Sequence, residues 1–208
     1  AWRPNSTSAW RIRVVPQQID GFAHYQPAAS VHGQDAPVVW ERKDGEGAGI
    51  GNNRISYSRC RLDTGVCTSP VGVSPEGAAY SRLAPDIVVD ANGTLHVVWV
   101  RSSHQQVGRI LYSNYTDGEW NPPEVISGGE VLPCEYSQDN PAIAVDSQRV
   151  YVVWDENVAT CAAEATAGIY FRQRDGLNGP SGSGTWSPGG APLGKQISDA
   201  SSEIQGSP

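Results

Sequence analysis

The chain has 208 residues, of which 38% are hydrophobic and 18% are charged, so it is long enough to bury a core in one or two domains. Its 15 basic and 22 acidic residues give a net charge of −7, which argues against a basic surface for nucleic acid or an anionic membrane. No apolar run approaches the ~20 residues that a membrane-spanning helix needs, so no membrane span is expected.

Three segments of the chain repeat one pattern. Each segment has a proline, a short apolar strand, a polar turn and a second strand that ends in Val-Val-Trp. In chain order the segments are residues 27–40, 85–99 and 141–154. The turns within them are rich in Gly, Asp, Asn and Ser, which tolerate the backbone geometry of tight turns.

Two further predicted strands follow each of these pairs. The third strands cover residues 55–58, 110–113 and 169–172, and the fourth strands end at Ser74, Ser127 and Ser198. Four short strands in every ~50–60 residues, without helical periodicity between them, are typical of β-propeller blades. A β-sandwich is the alternative all-β fold, but a sandwich does not require a four-part repeat.

The repeat divides the chain into successive segments. We expect residues 21–74, 75–127 and 128–198 to form one blade each. Residues 1–20 match the closing turn and outer strand of a preceding blade, and residues 199–208 match the lead-in to a following blade. Because propellers close with four to eight blades, we expect the remaining blades to come from a longer polypeptide. The alternative partner is another protein chain that docks blade against blade.

The repeat resembles the bacterial neuraminidase (Asp-box) repeat of sialidase-like propellers. The pattern P-x-[IV]-x-V-D, V-x-V-V-W and I-x-[YF]-[SR] extends over nearly the whole chain. Degenerate copies of the family's Asp-box stand at residues 113–120 and 175–186, and a third copy at 58–67 has Cys67 in place of the tryptophan. In such boxes the tryptophan packs between sheets. The resemblance implies all-β propeller blades that belong to a ring of roughly six.

Strand direction assigns the loops to two faces of such a propeller. Loops that join fourth to first and second to third strands share one face, and the resemblance implies that this face holds the ligand site. Cys134 and Cys161 fall on that face, whereas Cys60 and Cys67 flank a turn on the other. Of the three possible pairings, only Cys60–Cys67 with Cys134–Cys161 keeps each pair on one face. Two disulfides predict an oxidising, extracellular location.

No metal or cofactor is expected from the sequence. Four free thiols or a metal site are the alternatives to two disulfides. The chain has no Cys-x-x-Cys, and its histidines lack metal-ligand spacing from the cysteines. It also has no G-x-S-x-G and no phosphate-binding loop that precedes a helix.

The resemblance implies three arginines that clamp a substrate carboxylate, a tyrosine nucleophile activated by a glutamate, and an aspartate acid/base. The family's Arg-Ile-Pro signature is absent, because the segment Arg82-Leu-Ala-Pro carries one extra residue, so no catalytic residue is transferred. We predict a ligand cluster of Tyr80, Arg82, Glu135 and Tyr136, since both tyrosines lie five residues before a first-strand proline and therefore beside the axis. The alternative interpretation is a solvated polar rim. Further candidates on this face are Asp20, Tyr25, Glu41, Arg42, Asp44, Arg54, Glu76, Arg101, Arg109, Asp139, Asp155 and Glu156.

Two functions fit these features. The first is a non-catalytic extracellular propeller module, an interaction or glycan-binding platform within a larger protein or assembly. The second is a portion of a sialidase-like glycoside hydrolase, an exo-sialidase. The absent arginine signature favours the non-catalytic module, with carbohydrate as a candidate ligand.

Overall fold

The structure is a computed structural model, and it describes residues 23–43, 53–74, 80–103, 106–127, 136–158, 168–176, 185–187 and 195–196. These residues form β-strands and turns without a helix, so the predicted all-β fold is confirmed. The described residues thus contain no helix that could cross a membrane.

The strands form three antiparallel sheets, one from each repeat. The first sheet has the order β1 (Ala23–Ala29), β2 (Asp35–Lys43), β3 (Asn53–Arg61) and β4 (Val71–Gly72). The second has the order β5 (Ser81–Val89), β6 (Leu95–Ser103), β7 (Gln106–Thr116) and β8 (Glu119–Trp120), with β9 (Glu124–Val125) also paired to β7. The third has the order β10 (Tyr136–Val145), β11 (Arg149–Val158), β12 (Gly168–Asp175) and β13 (Trp186–Ser187), with β14 (Lys195–Gln196) paired to β12. This sequential order is that of propeller blades.

The first strands of the three sheets are neighbours in space, because β5 contacts both β1 and β10. Each first strand has a register shift beside its proline, and the residue before that proline has a positive φ: 46° at Gln26, 48° at Ala84 and 49° at Asn140. Such irregularities bend a strand locally. Their recurrence at one position shows that the sequence repeat is also a repeat of backbone conformation.

Side chains of one first strand accept hydrogen bonds from the backbone of the next. The Ala84 N–H donates to Gln26 Oε1 at 2.7 Å, and the Ile143 N–H donates to Asp86 Oδ2 at 2.9 Å. Ala84 lies within the register shift of β5, so its bond satisfies a backbone donor that the shift leaves outside the strand ladder. The sheets are therefore joined in series along their first strands.

Two apolar cores fill the spaces between the sheets, and β6 contributes to both. Because side chains alternate along a strand, Val97 and Trp99 pack towards the first sheet while Val98 and Val100 pack towards the third. The tryptophan at the end of each second strand is buried, with exposed fractions of 7%, 0% and 1% for Trp40, Trp99 and Trp154. The three tryptophans thus share a buried environment at the same position of each second strand, as the repeat predicts. The buried partners across the cores are Val39, Ile55, Tyr57, Val73, Val150, Val152 and Tyr170.

The segments that contain Trp120 and Trp186 also connect neighbouring sheets. Trp120 lies edge-on to Tyr57 of the first sheet with ring centroids 5.4 Å apart, and Trp186 lies edge-on to Tyr112 of the second at 5.1 Å. Such pairs add to the energy of apolar burial. These two tryptophans thus pack between neighbouring sheets.

In the first sheet, the equivalent turn between the third and fourth strands contains the predicted disulfide between Cys60 and Cys67. Cys134 and Cys161 lie outside the described residues. The expected segment boundaries after residues 20 and 198 lie outside them as well, as do the starts of the second and third segments at residues 75 and 128.

Gly108, near the start of β7, lies against the backbone of the third sheet. A Cβ atom there would lie 2.6 Å from the carbonyl oxygen of Gln138 and 3.2 Å from Val100 Cγ1. Because β10 would have to move to relieve this contact, we expect Gly108→Ala to lower the free energy of unfolding by about 2 kcal/mol. Gly72→Ala is the matched control, since its Cβ would meet only the Ser74 carbonyl oxygen at 3.8 Å. Chemical denaturation measures both variants, and equal stabilities would contradict the close approach of the two sheets.

Candidate functional site

Strand direction brings the starts of the first and third strands and the end of the second strand of each sheet to one end of the molecule. We call this the upper end, and in the first sheet it comprises residues 23–25, 41–43 and 53–55. It is the end at which the sequence predicts the ligand site. Most of the loops there lie outside the described residues, so the site is described from the strand ends.

At the upper end each sheet carries a row of three residues in direct register on its first three strands. Directly opposed residues of antiparallel strands point to the same face of a sheet. The rows are His24–Arg42–Arg54, Arg82–Arg101–Arg109 and Gln138–Glu156–Gly168. Two neighbouring blades therefore present five arginines, and the third presents a carboxyl and an amide at the equivalent positions.

Arg82 is the buried arginine of these rows, with 6% of its surface exposed. Its Nη1–H donates to the carbonyl oxygen of Tyr80 at 3.0 Å. Burial lowers the pKa of Arg82, and the positive charges of Arg54 and Arg101 lower it further. Three guanidinium groups within electrostatic range of one another concentrate positive charge, and an anion would relieve their repulsion.

Tyr80 is held by the same arginines. The Arg101 guanidinium carbon lies 4.8 Å from the centroid of the Tyr80 ring, which is a cation–π contact. The structure therefore brings together Tyr80 and Arg82, two of the four predicted cluster residues. Of the other two, Tyr136 begins β10 opposite Val158 at the upper end, although its side chain is not among those described. Glu135 lies outside the described residues.

Two buried carboxyl groups also lie at the upper end. Glu41 is 6% exposed and accepts a hydrogen bond from Asn53 Nδ2; burial raises its pKa, and Asn53 and Lys43 offset this in part. Glu156 is fully buried and accepts a hydrogen bond from Gln138 Nε2 at 2.9 Å. Burial raises the pKa of Glu156 as well, with an opposing contribution from Gln138. Raised carboxyl pKa values favour the neutral acid, which can donate a proton.

The predicted ligand cluster does not include the Gln138–Glu156 pair or Arg101. The sequence repeat points to Arg101 and Glu156. The residue two positions after the tryptophan of each second strand occupies the same place in each repeat, and these residues are Arg42, Arg101 and Glu156. Aligning the repeats at tryptophan thus places an arginine, an arginine and a glutamate at one structural position. Within the described ranges, no group of three or more His, Cys, Asp or Glu side chains could hold a metal ion.

A second group of buried polar residues lies between the second and third sheets at the opposite end. His96 contacts Tyr112 Oη at 2.7 Å and Asp90 Oδ2 at 3.4 Å, and Arg174 lies over the Tyr112 ring and donates to Glu124 Oε1 at 3.0 Å. Burial lowers the pKa of His96 and raises that of Tyr112. Asp90, His96, Tyr112 and Arg174 are each 1% exposed. Because a ligand cannot reach them in this conformation, we assign this cluster to blade packing.

Neither a family model nor a curated protein matches the sequence. Solved structures do match. Zg3597, a family 117 glycoside hydrolase from the marine bacterium Zobellia galactanivorans, gives a TM-score of 0.53 at 15% identity over 81% of this chain and 57% of that one. The α-L-arabinanase of Penicillium chrysogenum, solved with arabinobiose, gives a TM-score of 0.53 at 15% identity over 79% of this chain and 48% of that one. The Trypanosoma rangeli sialidase, solved with the inhibitor DANA, gives a TM-score of 0.50 at 10% identity over 88% of this chain and 31% of that one.

These similar structures are β-propeller enzymes. The chain is built from β-propeller blades. At these identities the similarity concerns the fold alone, and it extends over 79% or more of the present chain. The chain spans between 31% and 57% of the length of these three solved proteins.

Proposed function

We propose that the chain is part of an extracellular β-propeller that binds carbohydrate through an anionic group at the upper end. The observation that carries this proposal is the burial of Arg82 beside Arg54 and Arg101. Arginine side chains within electrostatic range of one another create a positive potential that attracts an anionic group. The guanidinium fork is also suited to bidentate recognition of a carboxylate.

The proposed ligand site includes the four residues of the predicted cluster. Arg82 and Tyr80 are in contact, and Tyr136 starts the neighbouring first strand at the same end. Glu135 precedes it in sequence. In this proposal Arg82 binds the anionic group, the tyrosines contact the sugar rings and Glu135 accepts hydrogen bonds from hydroxyl groups.

An anionic carbohydrate is favoured over other anionic ligands because propellers of similar fold include a glycoside hydrolase, an arabinanase and a sialidase. The degenerate Asp-boxes, whose tryptophans pack between sheets, favour the sialidase-like type of repeat. The Cys60–Cys67 disulfide favours an oxidising, extracellular compartment. Further blades, from a longer polypeptide or from another chain, would complete the ring.

Glycoside hydrolysis is the second candidate function. The observation that favours it is the pair of carboxyl groups, Glu41 and Glu156, whose burial raises their pKa values, since a glycosidase needs a protonated carboxylic acid as proton donor. We favour binding without catalysis, because the Arg-Ile-Pro signature is absent.

Titration with sialyllactose and lactose tests the proposed ligand class. We expect sialyllactose to bind and lactose to bind at least about tenfold more weakly, because one charge-assisted bidentate contact is worth ~1.5–3 kcal/mol. Arg82→Lys keeps the charge but removes the planar fork, so it should weaken sialyllactose binding about tenfold. Arg149→Lys is the matched control, since Arg149 is exposed at the opposite end and paired with Asp175. Calorimetry measures the affinities.

Equal affinity for the two sugars, or unchanged binding by Arg82→Lys, would contradict the proposal. Arg101→Lys provides a second variant at a less buried arginine, in case Arg82→Lys lowers stability. Release of a fluorophore from a sialoside distinguishes hydrolysis from binding alone. Turnover that Glu156→Gln abolishes would establish the second candidate function instead.

A further inference from the structure

The row Arg82–Arg101–Arg109 lies on the face of the second sheet that packs against the first sheet. Trp99 packs into the core shared with the first sheet, and Arg101 stands two residues later on β6, so it continues on the same face. Arg82 and Arg109 are directly opposed to Arg101 and share that face. At the upper end, one wall of the gap between the first and second sheets therefore carries three arginines.

The opposite wall of this gap carries Tyr25 and Glu41. Val39 of β2 packs into the core shared with the second sheet, so Glu41, two residues later, points the same way. Tyr25 of β1 is directly opposed to Glu41 and lies on the same face. Tyr25 and Arg82 thus extend from neighbouring first strands into one gap, from its two sides.

A hydrogen bond between the first strands sets the relative height of Tyr25 and Arg82. The Ala84 N–H donates to Gln26 Oε1 at 2.7 Å. Tyr25 stands one residue before Gln26, and Arg82 stands two residues before Ala84. Both strands start at the upper end, and a strand rises ~3.3 Å per residue. The two side chains therefore begin at nearly the same level above this bond.

The ring of Tyr25 is accessible to a ligand. Its exposed fraction is 49%, and the other exposed large hydrophobic side chains of the described residues are aliphatic. Within that part of the chain, no ring contact or hydrogen bond holds the Tyr25 side chain. The ring of Tyr80, in contrast, is in contact with the Arg101 guanidinium. An amphipathic phenol ring that is free on the wall facing a charged row is suited to pack against the C–H groups of a sugar.

We propose that Tyr25 is the residue on which the sugar ring stacks, so that the ligand lies in the gap between the first and second sheets, with its carboxylate on Arg82 and Arg101 and an apolar ring face on Tyr25. This inference rests on the proposed function. It divides recognition between the two walls. The arginines select an anionic group, and Tyr25 selects an anionic group that belongs to a sugar.

Calorimetric titration with sialyllactose of the parent chain and of Tyr25 variants tests this role. Tyr25→Ala should weaken binding about three- to tenfold, as expected for the loss of one aromatic contact. Tyr25→Phe keeps the ring and should bind within about twofold of the parent. Tyr151→Ala is the matched control and should bind as the parent does, because Tyr151 stacks on Phe171 and donates to Asp146 at the opposite end.

Proton NMR of the bound sugar gives a second measurement, which a purely structural role of Tyr25 would not affect. The ring current of Tyr25 should shift the C–H protons of the stacked sugar ring upfield in the parent and in Tyr25→Phe. Tyr25→Leu keeps an apolar side chain without a ring current, so it should reduce this shift. An equal shift in the parent and in Tyr25→Leu would overturn the stacking.

Binding that Arg82→Lys weakens but Tyr25→Ala leaves unchanged would overturn the role of Tyr25, while the proposed function stands. Equal losses for Tyr25→Phe and Tyr25→Ala would overturn it as well, since the hydroxyl group and not the ring would then bind the sugar. Absence of sialyllactose binding by the parent chain would overturn the proposed function and the stacking together. Because Tyr25 is half-exposed, its variants should unfold at nearly the same denaturant concentration as the parent.

Discussion

Trp99→Ala is expected to lower the free energy of unfolding by about 4 kcal/mol, as for other buried tryptophans cut back to alanine. Trp99 is fully buried on the side of the second sheet that packs against Val39 and Ile55 of the first. An alanine leaves a cavity between two sheets whose backbones are fixed by hydrogen bonds along their first strands, so the site cannot collapse. Urea denaturation monitored by circular dichroism measures the loss.

Two variants serve as controls for this experiment. Trp99→Phe fills most of the cavity and should cost about half as much. Tyr25→Ala removes an aromatic ring that is 49% exposed, and surface changes of this kind should cost less than about 1 kcal/mol. A loss below about 1 kcal/mol for Trp99→Ala would mean that the first two sheets do not pack face to face.

Arg174→Met is expected to lower the free energy of unfolding by about 3 kcal/mol, which is the range for breaking a buried ion pair from one side. Arg174 of the third sheet lies over the Tyr112 ring of the second and donates to Glu124 Oε1 at 3.0 Å. Methionine keeps much of the volume but removes both contacts between the sheets. Thermal and chemical denaturation measure the effect.

The double variant Glu124→Gln with Arg174→Met separates the ion pair from the stacking contact. Because the glutamine removes the charge that Arg174→Met leaves unpaired, the double variant should be more stable than Arg174→Met alone. Glu124 is 27% exposed in its side chain, so solvent screening limits this recovery to about 1 kcal/mol. Strictly additive effects of the two changes would contradict a direct pair between the sheets.

Most of the fold could be predicted from the sequence because the features that define a blade recur at fixed positions. The proline of each first strand marks a register shift, and the tryptophan of each second strand marks a buried position. The lengths of the fourth strands could not be predicted as well as the positions of the first three strands. They are two-residue pairings such as Val71–Gly72 and Glu124–Val125, since outer strands of a sheet make fewer packing contacts.

The candidate site could be predicted only in part. The sequence predicts Arg82 and Tyr80 as ligand-site residues because they stand near a first-strand proline, and the structure places the two in contact. Glu156 was one of many polar residues on the same face, and nothing in its local sequence indicates that it is buried. Its burial depends on the approach of Gly108 to Gln138 across two sheets, and such a contact between separate repeats leaves no local pattern in the sequence.

A crystal structure of the chain soaked with sialyllactose tests the central claim most directly. We expect density for the sugar at the upper end, with its carboxylate within hydrogen-bond distance of the Arg82 guanidinium and close to Arg54 and Arg101, and with a sugar ring near Tyr80. Sugar bound at the opposite end, or bound at the upper end with its carboxylate away from these three arginines, would contradict it.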